Sequence, residues 1–275
     1  MPPGLYIVAT PIGNLGDLTA RAADVLARAD WVACEDSRVT AKLTRHIGVR
    51  ARFVRYHDHS GEAERDSILA RLSDGAVALV SDAGTPLIAD PGFKLVRAAR
   101  AAGHRVVTVP GPSALVAALT LAGLPTARVL FDGFLPAKAG ARTKALDAVA
   151  AIPATLVFYE TGPRLAASLA AMAQALGTTR EAAVAREMTK RHEECVTGSL
   201  GELAERYADT SPKGEVVVVV GPPLAAEPPP PEALDDELAS LLTTMRASEA
   251  ASTLAERTGA DRRALYARAV ALKSG

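Results

Sequence analysis

Aromatic side chains are scarce, at 4% of 275 residues, so a stacking platform for single-stranded nucleic acid has little to be built from. Cysteine is scarcer still. Cys34 and Cys195 are far apart and have no partners at metal-ligand spacing, which leaves no readable zinc finger or disulfide framework and fits a reducing cytosol. Neither sign of charge is in excess: 31 Lys and Arg balance 31 Asp and Glu. No field of the whole molecule steers it toward nucleic acid or membrane, and any such site must be a local patch. No apolar run approaches the roughly 18 residues of a membrane span, and the start MPPGLYIVAT lacks the pattern of a secretory leader. The expectation is a soluble cytoplasmic protein with no membrane partner.

Further absences prune the α/β enzymes. No two glycines stand two apart, so GxGxxG is missing, and no Gly-Lys pair exists for a phosphate-binding loop. GxSxG and HExxH are absent as well. Two histidines flank Asp58, at His57 and His59, with no third ligand nearby; they read as a polar loop, and no metal is expected. His104 and His192 look incidental.

What the chain has is 49% hydrophobic and 23% charged residues, enough apolar material for a sizeable core. Short apolar or β-branched runs recur at 4–10, 31–34, 52–56, 76–81, 105–109, 128–132, 154–160, 182–188 and 215–220, alternating with helix-like stretches, so the fold class is α/β. The run VVVVV at 216–220 suits a strand buried on both faces. Pro91, Pro112 and Pro163 each fall where a first helical turn would begin. The stretch 222–232, PPLAAEPPPPE, holds six prolines and predicts an extended spacer. Beyond it, 248–257 and 261–272 predict two helices joined by Thr258-Gly259-Ala260, with Asp261 as a cap. Such a pair reads either as a helix-turn-helix contacting nucleic acid or as a small packing element. The expected division is an N-terminal lobe 1–113, a second lobe 114–223, a linker 224–232 and a helical tail 233–275.

Three turns of glycine, proline and small residues follow strand-like runs: TPIGN (10–14), SDAGTPLIADPG (81–92) and VPGPSA (109–114). In open α/β sheets this edge forms the ligand crevice. Small residues let backbone groups approach a ligand closely, and the Asp82 carboxylate can meet a cation or a ribose hydroxyl. Tight strand-to-helix turns are the plainer reading.

With ATPIGNLGDLT (9–19), EDSRVT (35–40), YHDH (56–59), GFLPAK (133–138), FYETGPR (158–164), AREMTK (185–190) and KGEVVVVVGP (213–222) added to those turns, the chain resembles the tetrapyrrole methylases, S-adenosylmethionine-dependent methyltransferases. Within them it is similar to the bacterial branch that methylates a cytidine ribose of small-subunit ribosomal RNA. Members acting on tetrapyrroles start GxGPGD and carry a Gly-Asp-Pro loop, where this sequence has PIGNLGD and Asp82-Ala83-Gly84. The resemblance implies two lobes, each a mostly parallel or mixed sheet flanked by helices, with a helical tail. It also implies S-adenosylmethionine held between the lobes, a homodimer, and 2′-O-methylation of a cytidine in the decoding region of 16S rRNA. Carried over position by position, the cofactor lining comprises Pro11, Ile12, Gly13, Asp82, Ala83, Gly84, Pro110, Gly111, Ser113 and Ala114. From the second lobe it adds Tyr159, Glu160, Met188, Thr189, Lys213 and Gly214.

A base for the ribose proton is sought among Glu35, Asp36, His57 and Glu187. Glu35 and Asp36 follow the apolar run WVAC and so sit at a strand end on the crevice side; Asp36 is favoured, against the alternative that it pairs with Arg38 or caps the helix beginning near Val39. Six basic residues between Val32 and His57, among them Arg38, Lys42 and Arg45, form a patch that can face RNA phosphates. Lys138, Arg142 and Lys144 form a second patch. Arg257, Arg262, Arg263 and Arg268 give the tail a basic face. Other readings are a uroporphyrinogen or precorrin C-methyltransferase and a non-catalytic S-adenosylmethionine-sensing factor that binds ribosome or nucleic acid.

Overall fold

The computed structural model describes residues 1–57, 60–224 and 230–274. Asp58 and His59 of the YHDH run, and 225–229 of the proline-rich linker, lie outside the described residues. The chain forms two compact units, Met1–Pro223 and Leu224–Gly275.

The first unit begins with five strands, β1 (Gly4–Val8), β2 (Trp31–Cys34), β3 (Phe53–Arg55), β4 (Ala76–Leu79) and β5 (Val106–Val109), and the helices α1 (Ala20–Arg28), α2 (Ser37–His46), α3 (Glu62–Leu72) and α4 (Phe93–Ala101). The strands make a wholly parallel sheet in the order β3-β2-β4-β1-β5. Both faces are covered. Alternate residues of one strand go to opposite layers: Tyr6 and Val8 pack with Ala22, Val25 and Leu43 of α1 and α2, whereas Leu5 packs with Ile68, Leu72 and Leu95 of α3 and α4. The starts of α1 and α2 are fixed locally; Thr19 accepts the Ala22 N–H at 3.0 Å and Asp36 accepts the Arg38 N–H at 2.8 Å. The chain leaves β1 toward β2 but leaves the adjacent β4 toward β5. Two neighbouring strand ends thus send their connections in opposite directions, which opens a crevice at their carboxyl edge.

Helix α5 (Ala114–Ala122) leads to a second sheet of β6 (Val129–Phe134), β7 (Thr155–Thr161), β8 (Glu181–Arg186), β9 (Glu194–Ser199) and β10 (Glu215–Val220), with α6 (Ala139–Val149), α7 (Gly162–Leu176) and α8 (Leu200–Tyr207). Its order is β6-β7-β10-β8-β9; only β6 and β7 run parallel. The valine run of β10 divides between two layers. Val216, Val218 and Val220 face Leu165, Leu169 and Leu200 of α7 and α8, and Val217 and Val219 share the opposite layer with Ala118 and Ala122 of α5. Burial on both faces makes a strand uniformly apolar, whichever way its neighbours run.

Three expectations need correction. Strand β9 has no counterpart among the apolar runs because, as an edge strand, it is only half-buried and reads ECVTGS. Pro163 lies in the first turn of α7 as expected, but Pro91 and Pro112 precede their helices, whose caps are Gly92 and Ser113. The two loops are therefore longer than proline placement suggests, and both reach the site described below. In the second unit a third helix, α9 (Asp235–Leu242), precedes α10 (Ala247–Thr258) and α11 (Arg262–Ser274).

The second unit has a core of its own, in which Leu234 and Leu238 meet Leu254, Leu265 and Ala269. Gly259 takes the left-handed conformation, φ 75°, that ends α10, and Asp261 accepts the Arg263 N–H at 2.6 Å to start α11. The three acids opening α9 suit its N-terminal dipole. They also revise the tail's basic face: Arg257 pairs with Glu237, and Arg268 with Asp235 and Glu232. Of the four arginines this leaves Arg262 and Arg263 without an ion pair among the described residues. Among the described residues no helix is long and apolar enough to cross a membrane.

Candidate active site

The carboxyl-edge turns of the first sheet and the loops of the second enclose a cavity of about 350 Å³, a size that suits a small-molecule ligand. From the first sheet come Ile12 after β1, Ala83, Gly84, Thr85, Ile88, Ala89 and Asp90 after β4, and Ser113 and Ala114 at the start of α5. The second contributes Phe134 on β6, Tyr159 on β7, Glu187, Met188 and Lys190 after β8, and Glu215, Val216 and Val217 on β10.

Main-chain bonds tie the turns together. Thr10 and Gly84 exchange N–H···O bonds of 2.8 and 3.0 Å, and the Thr85 hydroxyl donates to the Pro112 carbonyl at 2.9 Å. Gly84 has φ 80°, a conformation that costs a residue with a Cβ atom and costs glycine little. Four non-glycine residues among those described also have positive φ: Leu87, Ala89, Glu187 and Thr189. All belong to the cavity loops, and Ala89 and Glu187 line the cavity itself. Strained backbone gathered at one place marks a functional region.

The walls combine apolar surface with a few placed polar groups. The Tyr159 ring is held edge-on by Phe131 and Phe134, at centroid distances of 4.8 and 5.7 Å, and its hydroxyl accepts the Leu115 N–H at 3.1 Å. Burial pushes the Tyr159 phenol above its ordinary pKa, so it stays neutral. Three carboxylates, Asp90, Glu187 and Glu215, face one ammonium, Lys190, which pairs with Glu187 at 2.9 Å. The balance favours a cationic ligand. Burial pushes Asp90 up to about 6; the charges of Glu35, Glu215 and Asp82 add to this, and a hydrogen bond with Ser81 opposes it.

Of the residues expected from sequence, Ile12, Ala83, Gly84, Ser113, Ala114, Tyr159, Met188 and Glu187 come together here. Others stand outside the lining. Glu160 follows Tyr159 on β7 and must face the opposite layer; it is fully buried there, accepting the Ser168 hydroxyl at 2.6 Å and pairing with Arg164 at 3.2 Å. Asp82 turns toward β2, where it accepts the Asp36 N–H at 3.2 Å. Gly111 sits against Ala9, leaving 3.1 Å for an added Cβ, and Gly13 lies against the Lys190 side chain, where an added Cβ would come within 2.5 Å; Pro11 and Pro110 are not among the lining residues. Gly214, φ 87°, leaves room beside the Glu187 carboxylate, while Lys213 is exposed and Thr189 gives its N–H to Glu193.

Glu35 and Asp36 also lie outside the cavity. The Asp36 carboxylate both caps α2 and takes Arg38 in a fork, with Nε at 3.0 Å and Nη2 at 2.6 Å. Those hydrogen bonds hold it down at about 2, which makes it a poor proton acceptor. Sequence reasoning missed Thr85, Ile88, Ala89 and Asp90, although all lie inside SDAGTPLIADPG, and it missed Lys190 and Glu215, which lie inside AREMTK and KGEVVVVVGP. A carboxylate between small residues in the longest turn was the available signal for Asp90. Among the described residues no group of three or more His, Cys, Asp or Glu is placed to hold a metal ion.

Comparison with known proteins agrees with this geometry. Residues 4–204 match the model of the tetrapyrrole (corrin/porphyrin) methylases. The chain belongs to this family. Residues 227–273 match a second model, described as the RsmI C-terminal HTH domain. The ribosomal RNA small subunit methyltransferase I of Erythrobacter litoralis is 54% identical over 100% of this chain and 97% of its own length. That of Mesorhizobium japonicum is 52% identical over 99% and 93%. A solved structure, uroporphyrin-III C-methyl transferase from Thermus thermophilus complexed with S-adenyl homocysteine, covers 79% of this chain and 97% of that one, with a TM-score of 0.56 and 22% identity; it shares the fold. This tetrapyrrole methylase is accordingly a methyltransferase, and the family's donor is S-adenosylmethionine.

Proposed function

We propose that the protein transfers a methyl group from S-adenosylmethionine to the 2′-hydroxyl of a cytidine ribose in 16S rRNA, acting in the cytoplasm as a homodimer. The observation that carries the reading is the match of both units, over nearly the whole length, to proteins named for small-subunit ribosomal RNA. Neither a tetrapyrrole substrate nor a purely sensory role accounts for it as well.

The cavity residues fit the donor. Its sulfonium charge is complemented by the carboxylate excess of Asp90, Glu187 and Glu215, and Gly84 leaves the close approach that a main-chain-read adenine needs. When bound, S-adenosylmethionine supplies an electrophilic methyl carbon. The chain's own part is alignment: Tyr159, Met188 and the three tied turns hold the reactants in line, which can be worth an effective molarity of ~10⁵ M or more. For the RNA, Lys42 and Arg45 on α2 and Lys138 with Arg142 around the start of α6 offer phosphate contacts, as do Arg262 and Arg263 on α11. Apolar side chains left exposed on α5 and β6, Val116, Leu121 and Val129, support the homodimer.

The test is incorporation of labelled methyl into 16S rRNA from a strain lacking this modification, followed by mapping of the product nucleoside. Label at a cytidine ribose is the expected result. Label confined to a base or to a porphyrinoid would overturn the reading.

A further inference from the structure

Strand β6 carries an irregularity that decides where one ring goes. Along a regular strand, successive side chains alternate between the two faces of the sheet. Leu130 and Phe131 pair with Leu156 and Val157 of β7, but the next pairs are Gly133 with Phe158 and Phe134 with Tyr159, so Asp132 is an extra residue. Without that bulge Phe134 would share the layer of Leu130, which packs against the core of α6 and α7. With it, Phe134 moves to the face of Val157 and Tyr159 and enters the cavity lining. Gly133 allows the bulge: its φ is 66°, and an added Cβ would meet nothing within 4 Å, so conformation and not space calls for glycine there.

Packing does not use up the ring delivered in this way. Phe134 is 42% exposed although it lines the cavity, so it stands at the cavity mouth. Tyr159 fixes its orientation through a T-shaped contact with centroids 5.7 Å apart, and the Tyr159 hydroxyl is itself anchored by the Leu115 N–H at 3.1 Å. From Phe134 the chain passes through buried Leu135 to Lys138, exposed at the start of α6 and no more than about 14 Å away by chain length. An open aromatic ring thus lies between the cavity and a cation suited to phosphate.

We propose that Phe134 stacks on the cytosine base of the target nucleotide and so holds its ribose at the cavity mouth. The assignment rests on the ribose-methyltransferase reading and goes beyond it by naming the residue that grips the acceptor nucleotide. A chain poor in aromatics cannot build a platform for a run of bases, but one ring suffices for one base splayed out of its stack. Stacking accepts any base, so Phe134 supplies grip and position, not the choice of sequence.

The experiment compares wild type with Phe134→Ala, Phe134→Leu and Phe134→Tyr in steady-state methylation of reconstituted small subunits. Calorimetry with S-adenosylhomocysteine and sedimentation run alongside it. Phe134→Ala is expected to raise KM for the subunit by roughly 5–150-fold, the effect of losing one base–aromatic stack, with kcat and affinity for S-adenosylhomocysteine within a few-fold of wild type. Phe134→Tyr should keep the wild-type KM, and Phe134→Leu, apolar but without a π face, should behave like the alanine variant. Subunits whose rRNA lacks the base at the target ribose should raise the wild-type KM by a similar factor and that of Phe134→Ala no further. An unchanged KM in Phe134→Ala, a wild-type KM in Phe134→Leu, or a full alanine penalty on the base-free substrate each overturns the assignment. S-adenosylhomocysteine affinity that falls as far as RNA affinity overturns it too, placing the ring under the donor's adenine. So does dissociation of a wild-type dimer by Phe134→Ala, which makes the ring an interface residue. Wild type that methylates no ribose in intact subunits instead overturns the underlying reading, and Phe134 loses its role with it.

Discussion

At the scale of single residues, the fate of each carboxylate follows from its neighbours. Asp36 has an arginine two positions on and becomes a cap; Glu160 is turned by strand alternation into a fully buried pair with Arg164 and Ser168. Glu160→Ala should then destabilise the protein by about 2–4 kcal/mol, leaving Arg164 and Ser168 without their acceptor. Its affinity for S-adenosylhomocysteine should be unchanged; chemical denaturation and calorimetry check both, and a selective loss of cofactor binding would restore Glu160 to the site. Asp90 behaves oppositely. Its folded-state pKa, about 6, lies above the ordinary 3.8, so the stability it contributes is full below about pH 4 and is lost as pH rises through 6. Asp90→Asn should therefore melt higher than wild type at pH 8, with the gap closing toward pH 4. A variant that melts lower at every pH would mark Asp90 as a structural residue. Alternation along β7 is legible in the amino-acid pattern alone, and it argues against Glu160 sharing a lining with Tyr159. The burial of Asp90 is not legible in that way, because it depends on strands distant in sequence.

Elements were legible where burial is two-sided. The inner strands β1, β2 and β4 of the parallel sheet and the valine strand β10 stand out as apolar runs because both their faces are buried. Edge strand β9 left no such run, and α9 was hidden behind the proline-rich segment that precedes it. Caps were readable where a side chain does the work, as with Asp36 and Asp261, and unreadable where Gly92 or Ser113 begins a helix with no side-chain bond. The basic face of α2 was visible as composition, and the Asp36–Arg38 pair, weighed as an alternative from the sequence, is present. This shifts the expected phosphate contacts to Lys42 and Arg45, both exposed. Replacing the two by glutamine should weaken RNA binding and flatten its dependence on log salt by roughly 1.4–1.8 units, at about 0.7–0.9 for each phosphate no longer neutralised. Filter binding at several salt concentrations measures this, and an unchanged slope excludes α2 as the RNA face.

For the whole molecule, zero net charge and a split into two units have a joint consequence. With no overall field to draw RNA in, affinity has to be assembled from separate patches, and patches on separately folding units add through effective concentration. The first unit contains every residue of the cavity, and the second closes a core of its own around Leu238, Leu254 and Leu265. Ending the chain after Pro223 should therefore leave a folded protein that binds S-adenosylhomocysteine with nearly full affinity, while methylation of the ribosomal substrate at sub-saturating RNA falls by an order of magnitude or more. Raising the RNA concentration should recover much of the rate, because the tail adds binding and not chemistry. If the truncated protein instead loses cofactor affinity, the second unit is part of the methyl-donor site. If the rate loss persists at saturating RNA, the tail positions the ribose rather than recruiting it.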